Sequence, residues 1–319
     1  MNILFVIDRI ELKYFEFNNL VTNFWMIKSL LEKGADVSIT TIDMLGLSEG
    51  RPYSHSYSAF LRDNNIFYDS KSLSKHFVDE YDLVIFRPDP PVDLNYINAT
   101  YLLDFVDKSK TSIINDTSAI RNFNEKLHTI MFSHLMPEHI LTSSFDDIIE
   151  FLNANDEIIL KPLNQCFGSG VMYLKKGDKN TAVIINSMTE NGKRMLMVQK
   201  YIQKALYGDK RVLFLGGKVL PYCVQKVPSN NDFKFCEHSD SNIKKAVLSD
   251  SELEKFSPVA EKLNSMGIYM AGLDVIDEQI IEINVTSPCY FIKEINNHFG
   301  VHLENDITDF ILSKIHCVK

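Results

Sequence analysis

Two carboxylates and a carboxamide interrupt one apolar, β-branched stretch of the chain. The stretch reads AGLDVIDEQIIEINVTSP from Ala271 to Pro288. Asp274 lies in its first apolar run and Glu282 and Asn284 in its second, apart from the polar residues Asp277–Gln279 between the runs. Its composition predicts two largely buried strands around a turn. Carboxylate and amide oxygens are ligands that Mg²⁺ prefers in proteins. These three side chains are therefore candidates for a metal site.

The pairing of the two strands decides whether the polar side chains lie together. A turn centred on Glu278 places Asp274 opposite Glu282. It also places Gly272 opposite Asn284, and because side chains alternate between faces, the three polar groups share one side. Two opposed carboxylates repel, and a divalent cation reverses that repulsion. A solvated polar face on an antiparallel strand is the alternative interpretation. The other face is expected to be the core, formed by Leu273, Val275, Ile281, Ile283 and Val285.

Two lysines favour the metal interpretation. Lys126 follows the segment RNFNE, and Lys161 ends the predicted strand DEIIL directly before Pro162. A lysine in that position, just before a glycine-containing turn, can direct its ammonium at a phosphate that the N–H groups of the turn also bind. The turn here is NQCFGSG, with Gly168 and Gly170. Taken alone, either lysine is more typical of a surface charge, and the turn is a weak signal that a plain hairpin would also give.

The elements that must position these residues fall into two groups. Over residues 1–120, the apolar runs NILFVI, DVSITTID, YDLVIFR and TSIIND alternate with helical stretches, which predicts a parallel α/β lobe. The remainder begins with NFNEKLHTIMFSHL, predicted as a helix, and is then rich in short strands, with helices predicted over 250–266 and 305–315. Residues 228–245 are polar and lack periodicity, which predicts a weakly structured loop.

Composition narrows the class of protein. The 319 residues carry a formal net charge of −9, with 45% hydrophobic and 24% charged residues, as in globular proteins of two or three lobes. The acidic balance argues against a nucleic-acid partner, because neutralising phosphates requires a basic face. The five cysteines include no CxxC pair, which is typical of free thiols in a reducing cytosol. No apolar stretch approaches the ~18 residues of a membrane span. We therefore expect a cytoplasmic protein without a membrane partner.

These pieces together resemble the ATP-grasp enzymes, and the chain is similar to bacterial glutathione synthetase over nearly its whole length. The matching segments follow the order of the family: FRPDPPVDLNYINATYLLDF, RNFNEKLHTIMF, IILKPL, QKYI, GDKRVLF, LPYC, GLDVI and EINVTSP. The resemblance implies a mixed α/β and α+β protein with the ATP-grasp fold. Its parts would be an N-terminal pre-ATP-grasp parallel α/β substrate lobe (1–121), a central lobe (122–198) and a C-terminal lobe with an antiparallel sheet and the metal site (199–319).

The resemblance also implies a reaction and a role for each candidate residue. ATP would phosphorylate a substrate carboxylate, and an amine would attack the acyl phosphate, with positioning and charge neutralisation as the main work of the protein. ATP would contact Lys126, Lys161, Gly168, Gln199, Lys200, Tyr201, Ile202 and Asp209. Mg²⁺ or Mn²⁺ would bind Asp274, Glu282 and Asn284, and the catalytic cations would be Lys161 and Arg211. The small acyl and amine substrates would meet Arg87, Lys226, Ser287 and Pro288. The family makes a homo-oligomer the expected assembly.

Three departures from the family surround the substrates. Gln165 and Phe167 stand where the phosphate loop of the family has glycines, and the segment RIELKYFEFNNLVTN differs from the substrate-contacting loop of the family. Residues 228–245 lack the arginine and glycines of a mobile lid. Lys226 stands where the family has an arginine, and a lysine cannot form the bidentate hydrogen bonds of a guanidinium. Two hypotheses stay open: an active ligase with altered substrates, or a non-catalytic nucleotide-binding homologue with an interaction or regulatory role.

Overall fold

The computed structural model describes residues 1–165, 168–228 and 242–315 and arranges their strands in three sheets. The strands of the first sheet are β1 (Asn2–Ile7), β2 (Asp36–Thr41), β3 (Leu45–Ser48), β4 (Arg51–Arg62), β5 (Asn65–Tyr68), β6 (Ser74–Phe77), β7 (Leu83–Phe86) and β8 (Ser112–Ile114). The accompanying helices are α1 (Arg9–Lys13), α2 (Thr22–Glu32), α3 (Leu94–Leu103) and α4 (Thr117–Arg121), with 3₁₀ helices at Ile42–Met44 and Val78–Glu80.

A parallel core occupies the centre of the first sheet, as the alternation of strands and helices predicts. Strands β2, β1, β7 and β8 are neighbours in that order, and all run parallel. β1 is buried on both faces, since Ile3 and Phe5 pack into one apolar cluster and Leu4 and Val6 into another. Strands buried on both faces read as continuous apolar runs, which is why the sequence reveals them.

The prediction of a parallel lobe is wrong beyond β2. Strand β4 pairs antiparallel with β2, and β3, β5 and β6 pair antiparallel with β4. The β4 sequence, RPYSHSYSAFLR, alternates between buried and more exposed positions, as expected for an antiparallel strand with one wet face. Ser54 and Ser56 fill two of its four buried positions, so a search for apolar runs does not detect the strand.

A second sheet, entirely antiparallel, forms the central part of the molecule in the order β11-β10-β12-β9. Its elements are β9 (His139–Thr142), β10 (Glu157–Pro162), β11 (Met172–Lys175), β12 (Leu196–Lys200), α5 (Phe145–Asn155) and α6 (Thr181–Met188). These elements share a small apolar core of their own. The segment predicted as a helix before β9 is instead a 3₁₀ helix over His128–Leu135, kinked at Phe132.

The third sheet is also antiparallel and has the order β15-β14-β13-β16-β17. Its strands are β13 (Asp209–Leu215), β14 (Lys218–Lys226), β15 (Ile243–Ala246), β16 (Met270–Ile276) and β17 (Gln279–Asn284). The helices are α7 (Asp250–Ser265), α8 (Ile292–Phe299) and α9 (Leu303–Ser313), with a 3₁₀ helix at Gln203–Tyr207. β15 overlaps the end of the stretch 228–245 that was predicted to be a loop, so the prediction is wrong there. Residues 229–241 of that stretch lie outside the described residues.

The third sheet packs against the first lobe. Leu4 of β1 and Leu273 of β16 belong to one apolar core. Asn115, after β8, donates from its amide to the carbonyls of Met270 (2.8 Å) and Val285 (3.0 Å). These contacts hold the third sheet at the edge of the first, whereas the central sheet has a separate core. The domain boundaries at 121/122 and 198/199 stay predictions. Within the described residues, no helix is both long and apolar enough to span a bilayer.

Candidate active site

A cleft between the second and third sheets gathers most of the predicted site residues. Those that line it are Lys126, Lys161, Gly168, Gln199, Lys200, Tyr201, Ile202, Asp209, Lys226, Asp274 and Glu282. Apolar side chains complete the walls, chiefly Ile159, Val171, Ala205, Ile276 and Ile281. The remaining predicted residues, which do not line this cleft, are Arg87, Arg211, Asn284, Ser287 and Pro288. Lys126, Lys161, Asp274 and Glu282 lie near one another, and we call this part of the cleft the charged end. Gln199 pairs with Ile159, two residues before Lys161 on β10, and we call the part around Gln199 the apolar end.

The hairpin of β16 and β17 brings the carboxylates to the cleft, and the two predicted residue pairs are confirmed although the turn is not centred on Glu278. Asp274 lies opposite Glu282, and Gly272 lies opposite Asn284. A two-residue turn over 277–278, with φ of 50° and 60°, joins the strands. Turns with two positive φ values match the twist of a hairpin. This turn pairs Ile276 with Gln279 and would by itself place Asp274 opposite Ile281, so the pairing with Glu282 depends on a bulge in β17.

A β-bulge in β17 changes one predicted contact. The register shifts after the Asp274–Glu282 pair, so that Val275 pairs with Ile280 and Ile281 is the extra residue. Ile280 is fully buried, and Ile281 is half-buried in the cleft wall. The prediction that Ile281 belongs to the core face is therefore wrong, because strict alternation ends at the bulge.

Four donors surround the carboxylate of Asp274. Arg211, opposite it on β13, donates from Nε to Oδ1 (2.8 Å) and from NH2 to Oδ2 (3.2 Å). Lys226 Nζ lies 2.8 Å from the same Oδ1 and 2.6 Å from Asp209 Oδ2. Asn284 Nδ2 donates to Oδ2 (3.3 Å). Burial by itself would raise the pKa of Asp274, but the charges of Arg211 and Lys226 outweigh it and hold that pKa well below its usual range.

Two further lysines and Glu282 form the adjoining part of the cleft. Lys126 Nζ lies 2.8 Å from Glu282 Oε1 and donates to the carbonyl of Gln165 (2.6 Å). Lys161, at 7% exposure, forms no ion pair with any residue that the structure describes. Burial lowers the pKa of Lys161 to about 8. A buried ammonium at a cleft is suited to a multiply charged anion, because the anion supplies the charge that burial otherwise disfavours.

The apolar end of the cleft has the features of a base-binding site. Gln199, on β12, is 2% exposed, and its Nε2 finds no hydrogen-bond partner among the described residues. The ring of Tyr201 packs edge-on against Tyr173, with centroids 5.1 Å apart. Buried polar atoms are normally hydrogen-bonded, so an unsatisfied amide in a cleft wall is suited to a planar heterocycle with hydrogen-bonding edges.

The other predicted substrate residues lie where the first and third sheets meet. Arg87, directly after β7, is 2% exposed and donates to Asn23 Oδ1 (2.7 Å) and to the carbonyl of Pro288 (2.8 Å). Its NH1 has no hydrogen-bond partner within the described ranges. Asp89 lies beside it; burial raises the pKa of Asp89, and a hydrogen bond with Ser287 opposes that rise. Asp89 was not predicted as a site residue. Its place two residues after Arg87, at the end of β7, could have indicated that it lies near the substrates.

Two buried glutamates with positioning contacts were also not predicted. Glu125 Oε1 accepts from the backbone N–H of Val285 (2.7 Å) and from the N–H and hydroxyl of Thr286 (both 3.0 Å). It thereby fixes the segment that follows β17, and no spacing in the sequence indicates this. Glu11 accepts two hydrogen bonds from Asn23. Burial raises the pKa of Glu11 to about 7, and the nearby Asp89 adds to the shift.

Some of the predicted departures lie outside the described residues. Phe167 of the phosphate turn and residues 229–241 of the predicted lid belong to this group. Gly170, at φ 68°, is described, and a Cβ there would lie 2.4 Å from Gln165 Oε1. Of the five cysteines, Cys223 and Cys289 are described and carry free thiols.

Family models and curated proteins match nearly all of the chain. The model of the prokaryotic glutathione synthetase N-terminal domain matches residues 1–121, and that of the prokaryotic glutathione synthetase ATP-grasp domain matches residues 125–300. Glutathione synthetase from Vibrio parahaemolyticus is 31% identical over 295 residues, which covers 92% of this chain and 93% of the relative.

Solved structures share the fold at low sequence identity. D-cycloserine synthetase DcsG superposes with a TM-score of 0.68 at 11% identity, covering 99% of this chain and 100% of that one. The ATP-grasp ligase PsnB, solved with a minimal precursor, Mg and ADP, gives a TM-score of 0.61 at 14% identity and covers 98% of this chain and 97% of its own. The ATP-grasp fold that the sequence predicts is confirmed.

Proposed function

The chain belongs to the prokaryotic glutathione synthetase family, and from that membership we propose that it is an ATP-dependent carboxylate–amine ligase acting at the cleft between the second and third sheets. One observation carries this proposal. Lys126, Lys161, Asp274 and Glu282 line the same cleft as Gln199, whose side-chain Nε2 has no hydrogen-bond partner among the described residues. A nucleoside triphosphate likewise combines charged phosphates with a base that has hydrogen-bonding edges.

The nucleotide would lie along the cleft with its base at Gln199. The four hinge residues, Gln199, Lys200, Tyr201 and Ile202, would contact adenine, and Asp209 would contact the ribose. The phosphates would meet Lys126, Lys161 and the turn at Gly168. Lysine ammoniums and turn N–H groups are the usual phosphate ligands of such sites.

The donor set at the charged end fits a divalent metal ion. Asp274 and Glu282 are adjacent across the hairpin with Asn284 on the same strand face, and two carboxylates with an amide oxygen suit Mg²⁺ or Mn²⁺. These three residues would hold the ion, which would neutralise charge on the phosphates. Lys126 and Lys226 now neutralise the two carboxylates, so the cations of the protein occupy the place where a metal would act.

The proposed reaction joins an acyl group to an amine in two steps. A substrate carboxylate oxygen attacks the γ-phosphorus of ATP, which releases ADP and leaves an acyl phosphate. The amine then attacks the acyl carbon, phosphate leaves, and the nitrogen loses a proton to give the amide. Lys161 and Arg211 would stabilise the negative charge of both steps, since preorganised cations are the main catalytic contribution in such transfers.

The substrates would be small molecules held near the junction of the first and third sheets. Arg87 would meet a substrate carboxylate, and Ser287 and Pro288 would line the amine end. Lys226, which the resemblance assigns to a substrate, contacts Asp209 and Asp274, and its contact with a substrate stays part of the proposal. A cytoplasmic homo-oligomer is part of the same proposal and rests on family membership.

Product formation with defined substrate pairs tests the proposal. Purified protein with Mg–ATP should convert γ-glutamylcysteine and glycine, or a related acyl and amine pair, to an amide with one ADP and one phosphate per bond, detected by mass spectrometry and coupled ADP release. Nucleotide binding without ADP release across a panel of γ-glutamyl dipeptides and amino acids would reject the ligase and favour the non-catalytic homologue.

A further inference from the structure

One ammonium bridges two carboxylates at the charged end of the cleft. Lys226 Nζ lies 2.6 Å from Asp209 Oδ2 and 2.8 Å from Asp274 Oδ1. Its side chain is 10% exposed, and the two acids are 17% and 16% exposed. The register of β13 and β14 sets this bridge, because Asp209 is paired directly with Lys226. Lys226 is therefore built into the site rather than resting on its surface.

A metal ion could reach Asp274 only by displacing a donor. Oδ1 already receives Arg211 Nε and Lys226 Nζ, each at 2.8 Å. Oδ2 receives Arg211 NH2 at 3.2 Å and Asn284 Nδ2 at 3.3 Å. Both carboxylate oxygens are thus occupied by donors, and the two cations would also repel an incoming divalent ion.

Arg211 and Lys226 differ in how easily they could leave. Arg211 is held at three points, since its fork pairs with both oxygens of Asp274 and its NH1 donates to the carbonyl of Cys289 (3.1 Å). Lys226 is a single ammonium on a flexible stem. If it releases Asp274, it keeps its ion pair with Asp209. Lys226 is therefore the donor whose departure costs less.

We propose that Lys226 is a positioning residue that acts as an exchangeable counter-cation, holding Asp274 until metal and nucleotide enter the cleft together. The inference rests on the proposed function, because it takes Asp274 as a metal ligand. The phosphates of an incoming nucleotide offer the displaced ammonium a new anionic partner, which a metal ion alone does not. Lys126 repeats the arrangement on Glu282, with the Gln165 carbonyl as its second partner.

The ion pair between Lys226 and Asp274 should weaken the binding of a metal ion in the absence of nucleotide. An opposite charge within about 4–6 Å changes the proton affinity of a carboxylate by about 10- to 1,000-fold, and a divalent cation competes for the same oxygen. Removing the Lys226 charge should therefore strengthen binding of metal alone by about tenfold or more. A structural role for Lys226 would predict no such gain.

Titration with Mn²⁺ alone, followed by electron paramagnetic resonance, tests the proposal. The informative variant is the double substitution Asp209→Asn with Lys226→Met, which leaves no unpaired buried acid. It should bind Mn²⁺ at least about tenfold more tightly than wild type. The matched controls Asp209→Asn and Lys226→Arg keep a cation on Asp274 and should stay as weak as wild type.

Two results would overturn the inference. The first is that the double variant is folded, as circular dichroism would show, but binds Mn²⁺ no more tightly than wild type does. The other, which needs no variant, is wild-type protein that binds Mn²⁺ equally well with and without a non-hydrolysable ATP analogue. Failure of the proposed function looks different, since Asp274→Asn would then retain Mn²⁺ in the presence of the analogue as well as wild type does.

Discussion

The substitution Glu282→Gln tests whether Glu282 is a metal ligand or only part of a solvated polar face. Glu282 is 19% exposed, and its Oε1 accepts a hydrogen bond of 2.8 Å from Lys126. Glutamine keeps an acceptor oxygen but loses the charge. A hydrogen bond to a charged group is worth about 1.5–3 kcal/mol and a neutral one about 0.5–1.5 kcal/mol, so the loss is about 1 kcal/mol. Removing the repulsion from Asp274 returns about 0.2–1 kcal/mol. The free energy of unfolding without metal should therefore change by less than about 1 kcal/mol.

Activity should change far more than stability. A metal ion contributes several kcal/mol of charge stabilisation in the transition state, and each 1.4 kcal/mol is a factor of ten. Loss of one charged ligand should lower the rate of ADP release by about 10²-fold or more. The rise in melting temperature that Mg–ATP gives to wild type should also shrink, because that rise measures binding to the folded state.

The matched control is Glu278→Gln in the turn of the same hairpin. Glu278 is 42% exposed and pairs with Lys255, and exposed ion pairs contribute about 0–1 kcal/mol. This variant should keep wild-type ADP release and the full Mg–ATP shift. Wild-type activity together with a wild-type Mg–ATP shift in Glu282→Gln would refute the assignment of Glu282 to the metal.

Three further predictions follow from burial and backbone geometry. Nucleotide affinity should fall as the pH rises above about 8, because Lys161 loses its charge there. Nucleotide binding above that pH should also be accompanied by uptake of a proton. Calorimetry in two buffers of different ionisation enthalpy measures the affinity and the proton uptake. Gly208→Ala should lower the free energy of unfolding by more than about 1–3 kcal/mol, because φ is 98° and a Cβ would lie 2.1 Å from the carbonyl oxygen of Lys226. The control Gly177→Ala, at φ 91° with open space around a Cβ, should cost only the backbone strain. Denaturant unfolding measures both. The protonated form of Glu11 favours folding, and this stabilisation is complete below pH 4.5 and lost as the pH rises to about 7. Glu11→Gln should therefore gain melting temperature relative to wild type between pH 5 and pH 8, and the exposed Glu254→Gln should not.

The sequence predicted elements whose burial pattern is regular. Strands buried on both faces, such as β1, read as apolar runs, and a turn centred on Glu278 predicted the observed opposition of Asp274 and Glu282. The antiparallel extension through β4 was missed because serines occupy two of its four buried positions. The bulge at Ile281 was missed because a one-residue insertion leaves no mark in an apolar run.

Site residues were predictable where their type carries chemistry, and less so where the partner matters. Lysines and carboxylates near strand ends indicated a phosphate and metal site. The contact from Lys226 to Asp209 lies within the hairpin of β13 and β14, but a register shift between Val212 and Phe214 hides this pairing in the sequence. The contact from Lys226 to Asp274 joins strands that are distant in sequence, so the sequence could not indicate it. The same holds for Glu125, whose three hydrogen bonds fix the backbone around residues 285–286.

Transfer of ¹⁸O tests the central claim most directly. The acyl substrate would carry ¹⁸O in its reacting carboxylate, and the phosphate released with ADP would be analysed by mass spectrometry. If the carboxylate attacks the γ-phosphorus, one ¹⁸O should appear in each phosphate, because the bridging oxygen of an acyl phosphate leaves with phosphorus when the amine attacks carbon. Amide formation with unlabelled phosphate would contradict carboxylate activation through an acyl phosphate. ADP release without any amide would contradict the ligase itself.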